Sequence, residues 1–195
     1  EGFDIAMLTL NSKLPFKALS YREALIHRFS DLASGAADAA VAGRLVSAAT
    51  LTRGSMETLA RAWELRDKIS AFSQRPDVDE LDKFLMSRLF GSRNNPELPE
   101  ASNILNAIDR VAKQIPHFRE NYDRLSEFAH PNYSGTFQAF ALIDRLNFSI
   151  KFADSERRNL AFSTILSPLV GNLHGFMGIY NALAGSIEQL DGFFD

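Results

Sequence analysis

From Asn159 to Ile187 the chain carries no Asp, Glu, Lys or Arg, and a helical stretch of that length without charge belongs either in a bilayer or inside a fold. Asn159, Ser163, Thr164, Ser167, Pro168, Asn172, His174 and Asn181 interrupt it, and each such group is costly in hydrocarbon. The expectation is therefore a helix buried in a soluble bundle, with no membrane span. Along it Gly171, Gly175, Gly178, Ala182 and Gly185 recur at intervals of four, three, four and three. A glycine in a helix interior costs about 1 kcal/mol relative to alanine, so the stripe predicts close approach of a neighbouring helix or of a second copy, and with it a homodimer through a helical face. Ser167, His174 and Asn181, seven apart on another line, are expected to form a satisfied polar network in the core or, as the alternative, one wall of a pocket.

The remaining pattern is also helical. Pro15 to Ala33 places Leu25, Phe29 and Leu32 on one face, and Gly35 is expected to break the helix. A second, longer helix is predicted over 36–72, ended by Arg75-Pro76. Asp77 and Glu80 make a capping-box pair before Leu81, Phe84, Leu85 and Leu89, a short helix that should stop at Gly91. After the loop from Ser92 to Glu100, Ile104, Ile108, Val111 and Ile115 form a helical stripe up to Pro116, and Phe118, Tyr122, Leu125 and Ala129 form the next. Phe148, Ile150 and Phe152 then alternate with polar residues like a half-buried strand, pointing to a hairpin with its turn at Asp144–Asn147. Asp154 or Ser155 should cap the last helix, which runs to about Leu190. The fold class predicted is mainly α, an antiparallel helical bundle with one small β-hairpin before a long C-terminal helix, in a single domain spanning 1–195.

A formal charge of −3 argues against a broad basic surface for long nucleic acids but leaves room for a local basic pocket. The absence of cysteine excludes disulfides, thiolate metal sites and cysteine nucleophiles. Glu1–Met7 has neither a basic nor an apolar leader pattern, so no export signal is expected and the location predicted is cytoplasmic.

Chemistry concentrates in Arg124-Leu-Ser-Glu-Phe-Ala-His130-Pro-Asn-Tyr-Ser-Gly135. Residues six apart on a helix point about 120° away from each other, so Arg124 and His130 can serve one ligand only if the helix ends near the histidine. Pro131 provides that end by disfavouring the α conformation at the residue before it. The segment is similar to the Arg-x(4–6)-His motif of the HEPN superfamily, small helical-bundle proteins common in bacterial toxin, abortive-infection and RNA-cleavage systems. The resemblance implies a metal-independent ribonuclease or nucleotide-binding protein with no cofactor. A dimer would bring two motifs together, Arg124 holding the phosphate, His130 handling the proton and Glu127 orienting one of them, with Asn132 and Tyr133 beside the ligand. Many active members place a polar residue after the arginine where this chain has Leu125, which is the basis of a second reading, a non-catalytic interaction or scaffold domain.

Two further patterns bear on the site. Arg53, Glu57, Arg61, Glu64 and Lys68 alternate in sign along the second long helix, either as a solvated ladder of ion pairs or with Arg53, Glu57 and Arg61 turned toward the His130 loop as ligand-binding groups. Glu127-Phe-Ala-His130 has the E-x-x-H spacing of di-iron bundles, to which Glu23, His27, Glu57 or Glu64 would have to add ligands.

Overall fold

The structure is a computed structural model and describes residues 12–152 and 158–194. Six α-helices account for most of it: α1 (Lys13–Val41), α2 (Leu45–Gln74), α3 (Val78–Leu89), α4 (Leu105–Ala112), α5 (Phe118–Ala129) and α6 (Arg158–Asp191). A π-helical turn at Ser134–Gln138 and a two-stranded antiparallel hairpin, β1 (Ala141–Asp144) and β2 (Ser149–Phe152), lie between α5 and α6, and a 3-10 turn at Gly192–Phe194 follows. The mainly helical architecture with a hairpin before a long last helix is thus the one the sequence indicates. The expected caps at Asp154 or Ser155 fall outside the described residues.

The first boundary differs from expectation. α1 starts after Ser12, whose side chain accepts from the Leu14 amide, and runs through Gly35 to Val41. The chain reverses instead at Gly43, which alone of the described glycines has a left-handed φ, 74°. Gly35 is small for a packing reason: a Cβ there would stand 3.3 Å from Leu51 Cδ1, and one at Gly54 would stand 3.3 Å from Leu32 Cδ1. In both pairs the two partners lie equally far from Gly43 in sequence. The α1–α2 hairpin thus closes by reciprocal insertion, a leucine from each helix against a glycine on the other, and neither glycine interrupts its helix.

α2 is the central element, flanked by α1 and α6 along its length and by α5, α4 and α3 at their own stretches. Its packed face rests on Met56, Leu59, Leu65 and Ile69, with Ala48, Ala49, Ala60 and Ala62 keeping the neighbouring backbones close. Phe29 of α1 stacks on Phe176 of α6 at 4.0 Å between ring centres, locking the third long helix against the first. Asp77 caps α3 through a hydrogen bond from the Glu80 amide, as the capping pair predicts.

Because α2 is surrounded, its alternating charges are not one solvated ladder: Arg53, Glu57, Arg61 and Glu64 engage partners on neighbouring elements, and only Lys68 pairs at the surface, with Glu80. Glu64, 6% exposed, accepts two hydrogen bonds from Arg88 of α3, both at 3.0 Å, and one from Arg61 at 2.8 Å, with Arg110 of α4 at 3.6 Å. Burial alone would raise the Glu64 carboxyl, but the hydrogen bonds and charges of Arg88 and Arg61 outweigh it and hold the group below a glutamate's ordinary value. Tyr21 close by is pushed up to about 12, chiefly by burial.

α6 corrects the expectation of a fully buried helix. By length and composition it could cross a membrane, yet only a third of its most apolar window is buried, along one face formed by Ala161, Ile165, Phe176, Ile179, Leu183 and Ile187. Ser167, His174 and Asn181 face solvent, so they are not a core network, whereas Asn172 is buried and donates to Ser55 Oγ at 3.0 Å. The periodicity did not separate these residues because both lines are equally apolar. The fold is compatible with a soluble protein.

Two stability predictions follow from this packing. A Cβ at Gly175 would stand 3.2 Å from Leu59 Cδ2 in the core, so Gly175→Leu should lower stability by about 1–3 kcal/mol through overpacking; thermal and denaturant melting read this directly. Glu64→Ala leaves two half-buried arginines facing each other and should cost about 3 kcal/mol. A depressed folded-state pKa stabilises the native state above the unfolded value and loses that contribution as pH falls through the folded value. Stability of the wild type should therefore drop more steeply than that of Glu64→Ala as the pH falls through and below about 4.5, where free glutamate is half protonated.

Candidate functional site

Helix α5 ends where the sequence says it should. Ala129 is its last residue, and His130 is the cap, with φ −89° and ψ 148°, the extended conformation Pro131 requires. The buried face of α5 is Phe118, Tyr122, Leu125 and Phe128. Arg124, Glu127 and His130 all lie on its exposed side. The segment after Pro131 then folds back over the helix end. A Cβ at Gly135 would come within 1.9 Å of the His130 carbonyl oxygen and 2.7 Å of that of Phe128, so only glycine permits this return. Asn132 ties it down, its Oδ1 accepting from the Gly135 amide at 3.1 Å while its Nδ2 donates to Glu127 Oε2 at 2.7 Å.

Arg124 reaches across to α6. Its Nη2 donates to Asn121 Oδ1 at 3.0 Å and to the Thr164 carbonyl oxygen at 3.4 Å. The second acceptor has a specific origin. Pro168 sits inside α6 and has no N–H to give the carbonyl four residues before it, which is that of Thr164. The arginine of one helix thus supplies a donor that a proline removed from another. It uses Nη2 alone, leaving Nε and Nη1 without a hydrogen-bond partner among the described residues. The His130 imidazole likewise has none there.

The other residues singled out in the sequence go elsewhere. Glu127 engages Asn132, so it orients the loop and not Arg124 or His130. Tyr133 is exposed and stacks on Phe137 at 6.0 Å between ring centres. Arg53 and Glu57 pair with each other at 3.2 Å and share the Tyr122 hydroxyl, which receives a hydrogen bond from Arg53 and donates to Glu57 at 3.0 Å. Burial, first, and the neighbouring Glu57 raise the Tyr122 phenol. Tyr122 is two residues from Arg124, hence about 200° around the helix, so this trio lies behind the site and not in it. Arg61 is farther along α2, on Glu64 and the Ser102 carbonyl. No His, Asp and Glu side chains gather in groups of three able to hold a metal among the described residues. Glu23 is bound instead to Arg22 and the Tyr180 hydroxyl, so the E-x-x-H spacing is not completed into a di-metal centre.

The arrangement offers a fixed guanidinium with open donors, an unengaged exposed imidazole at the end of the same helix, and a rigid loop between them and the hairpin. Sequence reasoning missed the tie between Arg124 and α6; the signal for it was Pro168 inside a helical pattern, which always leaves a carbonyl to satisfy. No protein-family model, curated protein or solved structure matches the chain.

The bond to Thr164 can be weighed by a double-mutant cycle. Arg124→Met should cost about 1 kcal/mol in the wild type, and clearly less in a Pro168→Ala background, where residue 168 regains an amide for Thr164. Equal costs in the two backgrounds, read by chemical melting, would separate Arg124 from any role in mending α6.

Proposed function

We propose that the chain is a HEPN-like protein that binds, and in its active form cleaves, RNA without a metal ion. The observation that carries this reading is that one helix, α5, presents toward its end an arginine whose Nε and Nη1 have no partner among the described residues and an exposed histidine that has none there either. Arg124 spends only Nη2 on the fold, and the exposed His130 ring is open to solvent, so both groups of the Arg-x5-His motif are accessible to a ligand. In the reaction, the His130 imidazole takes the proton of a ribose 2′-hydroxyl, whose oxygen attacks the adjacent phosphorus as the bond to the 5′-oxygen breaks. That oxygen takes a proton from water as it leaves, a 2′,3′-cyclic phosphate remains, and the His130 imidazolium returns its proton to solvent. Arg124 stabilises the charge that builds on the phosphoryl oxygens, and Asn132 and Tyr133 line the approach.

A second reading, a non-catalytic interaction domain, is favoured by a different observation. Leu125, which stands where many active members have a polar residue, is fully buried, and Arg124 has a structural task at Thr164. Assay against single-stranded RNA separates the two. For the enzyme, His130→Ala should reduce cleavage at least about a hundredfold with an unchanged melting temperature, EDTA should have no effect, and a 2′-deoxy substitution at the cut position should block the reaction. Wild-type protein that leaves a broad panel of RNAs intact would support the interaction domain.

A further inference from the structure

Beyond the helix end that carries His130, the π-helical turn and the hairpin build a small aromatic unit of their own. Side chains alternate between the two faces of a strand pair, so Ala141 and Ile143 share one face with their cross-strand partners Phe152 and Ile150. Phe137 of the turn meets Phe152 edge-on at 6.3 Å between ring centres, and Tyr133 stacks on Phe137. The sequence reading makes Phe148, Ile150 and Phe152 half-buried; they are 97%, 53% and 69% exposed, with Phe148 at a left-handed φ of 47°, because no long helix packs along the strands.

Between turn and hairpin lies a cavity of about 270 Å3 lined by Tyr133, Phe137, Gln138, Ala141, Ile143 and Arg145. Its walls are flat and apolar. Its polar edge is the Gln138 amide and the Arg145 guanidinium, both exposed and both without a hydrogen-bond partner among the described residues. The neighbouring carboxylate, Asp144, is taken up by the hairpin turn, where it accepts from the Leu146 and Asn147 amides and from Asn147 Nδ2. The cavity and the imidazole belong to one end of α5: Tyr133 is three residues beyond His130, and Gly135 in the same turn presses against the His130 carbonyl.

We propose that this cavity seats an unpaired base of an RNA strand, stacked on Tyr133, with the Gln138 amide at the base edge and Arg145 at a phosphate of the same strand. The proposal rests on the RNA reading above and adds to it the element that holds the strand. Three features favour a base over other occupants. An exposed aromatic ring is a platform for any base, and a base already paired and stacked in a duplex has no free face to offer it. A glutamine amide presents a donor beside an acceptor, the pair that matches the edge of adenine. The unpaired guanidinium favours an anionic strand over an apolar peptide side chain. The volume lies just under the roughly 300–1,000 Å3 of sites for drug-sized ligands, so it suits one ring system and not an extended molecule.

The test uses fluorescein-labelled hexa-adenylate and hexa-uridylate with 2′-O-methyl groups throughout, which no attack by a 2′-hydroxyl can cut, so that binding is read by anisotropy apart from cleavage. Tyr133→Ala should weaken binding of hexa-adenylate about fivefold to a hundredfold, the loss of one base–aromatic stack. Tyr133→Phe should restore it, and Gln138→Ala should narrow the preference for hexa-adenylate over hexa-uridylate. On a cleavable strand the effect of Tyr133→Ala should fall on KM more than on kcat. Hexa-adenylate binding that is indifferent to Tyr133→Ala overturns the base seat and leaves the RNA reading standing. Tyr133-dependent binding by a protein that cuts no RNA supports the seat and removes the ribonuclease. A wild type that binds neither strand up to about 100 μM, the weak limit of ordinary nonspecific nucleic-acid binding, overturns the seat whatever the cleavage assay shows.

Discussion

Enclosure of α2 is the constraint on which the rest of the structure depends. A thirty-residue helix flanked by α1, α6, α5, α4 and α3 can be packed from so many sides only if its surface is small-residued where backbones approach and satisfied wherever it is polar. The alanines at 48, 49, 60 and 62 meet the first demand. The second explains why its charges turn to Tyr122, Arg88 and Ser102. Each of those partners sits on a different element, so the polar groups of α2 also fix where α3, α5 and the segment leading into α4 must lie. The apolar contacts supply most of the driving force, and the polar ones select one arrangement among the ways the helices could pack.

The placement of the candidate site follows from that arrangement. α5 is held on α2 by Phe118, Tyr122, Leu125 and Phe128, which leaves Arg124, Glu127 and His130 on the outer side. From there Arg124 meets α6 at the one carbonyl that Pro168 releases. A guanidinium has five N–H groups in a rigid fork, and spending Nη2 on the fold sets the direction of the rest. Fixation of this kind lowers the ordering cost of binding an anion. The same bond also serves a domain with no catalytic role, which is why only chemistry on a substrate separates the two readings.

The exposed surface has the opposite character. Where α2 satisfies everything, α6 and the hairpin leave large side chains, a left-handed phenylalanine and three unpacked glycines in water.

Much of this was legible in the residues. Helical periods located α3, α4 and α5, Asp77 and Glu80 marked an N-terminus, and Pro131 fixed the end of α5 at His130, because these signals act over one or two turns and need no distant partner. Gly35 misled, since a glycine inside a helix signals a break or a close neighbour equally well, and only Leu51 decides between them. The charge row on α2 and the two polar lines on α6 were ambiguous for the same reason: a period gives the angle between side chains but not which angle faces the core. Local backbone preference, the helices and the helix-end placement of His130 were determined by the sequence itself. The enclosure of α2, the union of Arg124 with Thr164, and the side of α6 left bare were decided by tertiary structure, because each depends on contacts between residues far apart in the chain.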